Sequence, residues 1–392
     1  MERLKTKFLS INFPNPFVLA AGPPTANSAL IIEAFKAGWG GAVLKTIGLV
    51  PTKHPSPRVH VLKSGRDKSG MIDIELFSEL TLDRWEREIE LVRASFPERP
   101  IIASIAGGGN PHEWQEIVRR VEPYGINGYE INASCPNLGG KEKGEDKAEQ
   151  DTKAMVLAVG WVKEATERPV IVKLTPNVTD IAALAQAAEA AGADAVTTGN
   201  SLSGLGGIDL DTFAPLPTVD GISIFGGYGG PGLKPVSLRC TALASQALQI
   251  PVIGCGGIST WQDAAEYLAV GASIVEVCTA VMWNGCRIIE KLTKGLEVYL
   301  ERKGYKTPTD ITGKALSRIG SFADLNLSIK LAASVDDSCN GCGICVEACA
   351  SGGYQAITMD SDTARVDISR CDGCGLCVGV CPQESIHLTP RQ

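Results

Sequence analysis

A chain of 392 residues, 44% hydrophobic and 21% charged, carries enough apolar side chain for two or three packed domains. A net charge of −7 argues against nucleic acid as a general partner, and no apolar run reaches the length of a membrane span. Met1-Glu-Arg-Leu-Lys-Thr-Lys has no apolar signal core, so a cytoplasmic location is expected.

Residues 4–13 read as a short hairpin. From 15 to 300, short apolar runs alternate with amphipathic segments. The predicted strands are Phe17–Ala20, Ala42–Thr46, Ile101–Ile105, Gly128–Asn132, Val170–Leu174, Ala195–Thr198, Val252–Gly254 and Ile274–Val277. Each is apolar throughout, as in a parallel sheet covered on both faces. The predicted helices are Ser28–Ala37, Leu82–Ser95, His112–Tyr124, Thr152–Thr166, Asp180–Ala191, Lys234–Leu248, Trp261–Val270 and Arg287–Arg302. Asn110-Pro111, Thr179-Asp180 and Ser259-Thr260 sit where N-caps belong, and Gly192 and Gly271 where helices stop.

Strict alternation of strand and helix predicts a (β/α)8 barrel, an α/β fold also called a TIM barrel, over residues 1–302. The hairpin would plug its bottom. An open doubly wound sheet is the weaker alternative, because no G-x-G-x-x-G is expected to follow a strand anywhere. Residues 47–81 and 199–233 are long insertions on the C-terminal face, where barrel active sites form. Residues 303–335 read as a linker, and 336–392 as a separate module.

That module holds Cys339-Asn-Gly-Cys342-Gly-Ile-Cys345-Val-Glu-Ala-Cys349 and Cys371-Asp-Gly-Cys374-Gly-Leu-Cys377-Val-Gly-Val-Cys381-Pro382. The repeated C-x2-C-x2-C-x3-C spacing is that of a two-cluster, 2×[4Fe–4S] ferredoxin-like domain, in which the fourth cysteine of each run ligates the other cluster. One cluster is thus expected on Cys339, Cys342, Cys345 and Cys381, the other on Cys371, Cys374, Cys377 and Cys349. Gly341, Gly343, Gly373 and Gly375 are expected to remove Cβ atoms where backbone approaches a cluster. Ala350 stands where the pattern commonly has proline. Zinc sites usually need only paired C-x2-C units, and disulfides would be odd in a chain with no secretory signal.

The strand ends gather Ala20-Ala21-Gly22, Lys45-Thr46, Asn132 with Cys135 and Asn137, Lys173, Thr198 with Asn200, Gly256-Gly257 and Thr279-Ala280. This set offers amides, lysines and glycines, and neither a carboxylate pair nor a metal set. Gly254-Cys-Gly-Gly257 followed by Thr279-Ala280 resembles a barrel phosphate site. Lys45 and Lys173 would aim ammonium groups into the mouth, where a cation stabilises a reduced flavin. Asn110, Asn132, Asn137 and Asn200 could read the N–H and C=O edges of a planar imide-like ring.

Residues 8–302 resemble the FMN-binding barrel of the dihydroorotate and dihydropyrimidine dehydrogenases. The resemblance rests on Lys45-Thr46, Ser56-Pro-Arg58, Ile74-Glu-Leu76 with Ser78-Glu79, Ile102-Ala-Ser-Ile105, Asn132-x-Ser-Cys-Pro136, Lys173-Leu-Thr-Pro-Asn-Val-Thr-Asp-Ile181 and Ser203-Gly204. The tail at 336–385 is similar to the dihydropyrimidine dehydrogenase arrangement. The resemblance implies that Lys45, Thr46 and Lys173 bind FMN, with Gly230, Gly256, Gly257, Thr279 and Ala280 around its phosphate. Ala21, Gly22 and Thr198 complete the expected cofactor contacts. Asn110, Asn132, Asn137, Asn200 and Ser201 would hold the substrate ring, and Cys135 would be the general acid/base. Asn137 matches the dihydroorotate branch, where the dihydropyrimidine branch has histidine. Ser201 stands where threonine is usual, and the charged loop 139–150 matches neither branch.

The implied activity is reversible reduction of the C5–C6 bond of uracil, thymine or a similar cyclic imide, with electrons carried by the clusters. A flavoprotein subunit binding NAD(P) and FAD, or a soluble ferredoxin, is the expected redox partner, and an oligomer is expected. Dihydroorotate oxidation is the first alternative. The second is an electron-transfer subunit whose barrel only holds FMN.

Overall fold

The computed structural model describes residues 2–133 and 152–391. It divides into two compact units, 1–318 and 319–392.

In the first unit the parallel strands Phe17–Leu19, Gly41–Val43, Ile101–Ala106, Gly128–Asn132, Val170–Leu174, Ala195–Thr198, Val252–Cys255 and Ala272–Val277 follow one another round a closed barrel. Closure comes from the pairing of Ala42 with Ile101 and Val43 with Ile102. All eight expected strands are present. The second differs in one informative way. It stops at Val43 and resumes as Ile47–Gly48, so Lys45 and Thr46 lie in a break where the backbone turns into the barrel mouth.

The helices form because the sequence supplies both a buried face and a stop. Thr81, Asn110, Asp180 and Thr260 each accept a hydrogen bond from the first turn of the helix that follows. Gly192 and Gly271 end helices at φ of +96° and +104°. Before Ile288–Arg302 a further short helix, Thr279–Asn284, is inserted, which the periodicity did not reveal.

Side chains alternate along each strand. Val18, Val43, Ile102, Ile171, Ala195, Ile253 and Ile274 point inward and pack with Phe8, Ile11 and Phe13 of the hairpin Thr6–Phe8/Ile11–Phe13. The hairpin therefore closes the barrel from below. Truncating Phe8 or Phe13 to alanine would cost about 3–5 kcal/mol.

The two insertions form one antiparallel sheet, ordered Leu202–Gly204, Gly226–Gly229, Asp67–Asp73, Val59–Ser64. It is keyed by Tyr228, whose hydroxyl donates to Ser69 O at 3.2 Å. A Cβ on Gly70 would lie 2.2 Å from the Tyr228 ring, so only glycine allows that packing.

The segment expected as a linker is divided. Gly313 N and Ala315 N donate to Leu268 O and Ala269 O at 2.9 Å each, and Ile311 is buried, so 303–318 belongs to the barrel unit. Leu331–Val335 pairs antiparallel with Ile386–Pro390, so it belongs to the second unit. The first stretch bonds its backbone in short 3-10 turns and to the end of the helix Trp261–Ala269, and the second pairs as a strand.

The second unit repeats a helix and strand arrangement, with helices Ile344–Ser351 and Leu376–Val380 and a hairpin Ile357–Asp360/Thr363–Val366. Its core is small residues and thiols: Ala332, Ala333, Ala356, Ala364, Cys345, Cys371 and Cys377, with Ile357 and Ile386. The first helix runs through Ala350 to Ser351, whereas the second stops at Val380 before Cys381-Pro382. Alanine in place of proline lets the backbone continue its helical turn.

Candidate functional site

One cleft opens at the C-terminal ends of the barrel strands. Its empty volume, counted out to the open mouth, is about 1100 Å³. It is lined by Ala21, Gly22, Lys45, Thr46, Asn132, Lys173, Asn200, Ser201, Gly230, Gly256, Gly257, Thr279 and Ala280, all expected from sequence. Cys135, Asn137 and the loop 139–150 lie outside the described residues.

Two expected residues do not reach the cleft. Thr198 is buried on the outer face of its strand, with its hydroxyl 2.7 Å from that of Thr241 and 3.2 Å from Ile253 O. The reason is the two-residue period: Thr197 takes the inward position, so its neighbour faces the helix layer. Asn110 is exposed and caps a helix, accepting from Glu113 N at 3.3 Å and donating to Glu113 Oε1 at 2.8 Å. It is not among the cleft-lining residues.

The amide side of the cleft is braced. Asn132 Nδ2 donates to Thr46 Oγ1 at 3.0 Å, and Thr46 Oγ1 is 3.0 Å from Ser104 Oγ. Asn177 Nδ2 donates to Ser201 O and to Thr175 Oγ1, while Asn177 Oδ1 accepts from Ser203 N. The Lys173–Ile181 motif thus pins the loop that presents Asn200 and Ser201.

At the opposite side the backbone of Gly229, Gly230, Gly256 and Gly257 faces the cleft near Thr279 and Ala280. Gly257 has φ +71°, and a Cβ there would sit 2.7 Å from the Lys234 backbone nitrogen. This wall is kept bare of side chains, which suits close approach of an anionic phosphate to backbone N–H groups. The spacing G-x-G-x-x-G does occur here, at Gly227–Gly232, but inside an insertion. It joins an antiparallel strand to the helix Lys234–Ala247, not the parallel βαβ unit of a dinucleotide site.

The charged floor was missed from sequence. Lys173 Nζ lies 2.7 Å from Glu276 Oε2 and 3.3 Å from Glu130 Oε1, and Thr197 Oγ1 donates to Glu130 Oε2 at 2.8 Å. The carboxylates sit within strands rather than at their ends, so a search of strand ends passes over them. Strand register carries the signal: Lys173 pairs with Asn132 and Thr197, and Cys255 with Glu276, all on the inner face. Burial opposes the charge on Lys173, but Glu130 and Glu276 together hold its ammonium well above the usual lysine range. Burial, and next the facing Glu130, push Glu276 up to about 8 despite Lys173. Lys45 is paired too, 3.0 Å from Glu75 Oε1, which also faces His54 and Arg58. Burial raises Asp73 at the same mouth.

The second unit holds two thiol-lined cavities. One is lined by Cys339, Cys342, Cys345 and Cys381, the other by Cys349, Cys371, Cys374 and Cys377. Each therefore takes three thiols from one run and the fourth from the other. Their empty volumes are about 290 and 360 Å³, and all eight thiols are free of disulfides. Each cavity thus offers four thiols in the crossed arrangement of a two-cluster domain. Ala333 N and Ala356 N donate to the sulfurs of Cys371 and Cys349 at 3.4 and 3.3 Å. The four turn glycines are required by the backbone itself. All have φ between +70° and +82°, and a Cβ on Gly341 or Gly373 would collide with the carbonyl of Asp362 or Leu331.

The dihydroorotate dehydrogenase family model matches residues 3–300, and a 4Fe-4S dicluster domain matches 332–388. The NAD-dependent dihydropyrimidine dehydrogenase subunit PreA of Escherichia coli is 33% identical over 365 residues, covering 92% of this chain and 88% of the relative. The dihydroorotate dehydrogenase B (NAD(+)) catalytic subunit of Pyrococcus furiosus is 36% identical over 316 residues, 80% of this chain and 98% of the relative. The chloroplastic dihydropyrimidine dehydrogenase (NADP(+)) of Arabidopsis thaliana is 31% identical over 329 residues, 80% and 77% respectively. No helix among the described residues is long and apolar enough to cross a membrane. FMN and two [4Fe–4S] clusters are the cofactors of this arrangement of domains. The chain belongs to the dihydroorotate dehydrogenase family, as an iron–sulfur flavoprotein oxidoreductase acting on CH–CH bonds.

Proposed function

We propose that the chain interconverts a neutral pyrimidine, uracil or thymine, and its 5,6-dihydro form. The observation that carries this is the pairing of both cleft cations. Lys45 is held by Glu75, and Lys173 by Glu130 and Glu276. Among the described lining residues no other cation is available to a ring carboxylate, which would meet Asp73, Glu75 and Glu276 instead. An uncharged imide needs only donors and acceptors, and Asn132, Asn200 and Ser201 supply them.

Lys45, Thr46 and Lys173 would hold the flavin ring, and Gly230, Gly256, Gly257, Thr279 and Ala280 its phosphate, with Ala21 and Gly22 along one edge. When bound, FMN supplies hydride transfer. Asn132, Asn137, Asn200 and Ser201 orient the ring, and Cys135 gives or takes the proton on its face. The eight tail cysteines hold the clusters that relay single electrons. A separate flavoprotein subunit binding NAD(P) and FAD, or a soluble ferredoxin, feeds them. A cytoplasmic location and an oligomeric assembly fit this role.

Anaerobic addition of dihydrouracil to the oxidised holoprotein tests the reading. Bleaching of the flavin by dihydrouracil and not by dihydroorotate is expected. Bleaching by dihydroorotate alone would replace the reading with dihydroorotate oxidation.

A further inference from the structure

Lys173 is one cation between two carboxylates, and the side chains of Lys173, Glu130 and Glu276 are 5%, 0% and 0% exposed. Two carboxylates sharing one buried cation leave a net negative charge in low dielectric, which is costly. Glu130 is well satisfied, by Thr197 and Lys173. Glu276 is not: its Oε1 is buried and has no hydrogen-bond partner. Both carboxylates reach the same ammonium, so one proton held in this cluster would cancel the excess charge. Glu276 also lines the cleft, so the pair feels charge arriving above it.

We propose that Glu130 and Glu276 form a shared-proton site beneath the flavin, which at alkaline pH takes up one proton from solvent when the cofactor is reduced and returns it on oxidation. This rests on the flavin reading of the cleft and on nothing about the substrate. Reduction by two electrons and one proton leaves one added negative charge in the cleft. The carboxylate pair then binds a second proton from water at the mouth, and no further oxidant or reductant takes part. Glu276 is a positioning residue here, acting on the cofactor through charge and through Lys173.

The thiols that face the pair do not compete for this proton. Cys255 on the seventh strand is pushed up mainly by burial and stays a thiol. Cys278 is pushed up by burial to about 12 and does the same. Lys45, Asp73 and Glu75 stand around the mouth, with Lys45 and Glu75 neutralising each other.

The test is potentiometric titration of the flavin in the holoprotein, without pyrimidine, across about pH 6 to 10. Wild type, Glu276→Gln and Glu130→Gln are compared after their flavin content is measured. A wild type that carries no flavin refutes the cleft reading itself, separately from this proposal. Wild type and Glu276→Gln should coincide near pH 6. Above about pH 8 the variant should lie higher by at least tenfold in the two-electron equilibrium, about 30 mV. Glu130→Gln should lose the same extra pH dependence, because Glu276 alone with Lys173 stays ionised. Curves parallel at every pH would overturn the proposal. Reduced-minus-oxidised infrared spectra of wild type give a second reading that needs no variant. A carboxylic C=O band should appear on reduction near pH 9, and its absence would also overturn the proposal.

Discussion

Glu75 Oε1 lies 3.0 Å from the Lys45 ammonium, and both side chains are buried at the barrel mouth. The cation in the break after the second strand is therefore spoken for before any substrate arrives. Glu75→Gln would release it. The variant should bind orotate roughly tenfold more tightly relative to uracil, about 1.4 kcal/mol. Spectral titration of the oxidised flavin with each ligand measures the ratio, and an unchanged ratio removes Lys45 from the discrimination.

Cys381 shares its cavity with Cys339, Cys342 and Cys345, not with its own run. Cys381→Ala and Cys342→Ala should therefore perturb the same electron paramagnetic resonance signal, and Cys349→Ala the other. Signals that sort by run instead of by cavity would show uncrossed ligation.

Gly257→Ala places a methyl 2.7 Å from the Lys234 backbone nitrogen at a φ of +71°. A collision with backbone cannot relax by a side-chain rotation. The variant should lose FMN on gel filtration while keeping its iron, because the second unit has its own core. Full flavin retention would place the phosphate elsewhere.

Much of this was readable in the sequence because it is periodic or punctuated. The eight strands, the capped helices and the crossed cysteine runs each follow from spacing alone. What stayed hidden depends on register. Thr197 and Thr198 are indistinguishable in sequence, and only strand pairing shows that the first faces Glu130 and the second the helix layer. Glu130 and Glu276 look like ordinary strand residues until the barrel closes and brings them to Lys173. Asn110 carried two signals, cap and ring contact, and the structure satisfies the first. The sheet built from both insertions needed residues far apart in sequence to meet, which no local pattern announces.

Stability should carry the mark of the buried floor. Glu276 binds its proton more tightly in the folded state than in the unfolded chain, by burial first and then by Glu130. Between the ordinary carboxylate range and about 8 the native state holds the extra proton, so this contribution is lost as pH rises through that window. Lys173 is raised, so its own contribution is constant below the usual lysine range. Urea midpoints of the apoprotein should therefore fall from about pH 6 to about pH 9, and fall less in Glu276→Gln. Equal pH dependence would mean that Glu276 titrates as an exposed carboxylate.

Cys135→Ala should keep FMN and both clusters yet slow dye-driven pyrimidine reduction by roughly 10²–10⁴-fold, the usual worth of a positioned proton donor. Normal turnover would leave the barrel as an electron relay.

The most direct measurement is rapid anaerobic mixing of the reduced holoprotein with uracil, thymine and orotate, following flavin reoxidation. Uracil or thymine should reoxidise the flavin within turnover time while orotate leaves it reduced. Reoxidation by orotate in preference to both would contradict the account.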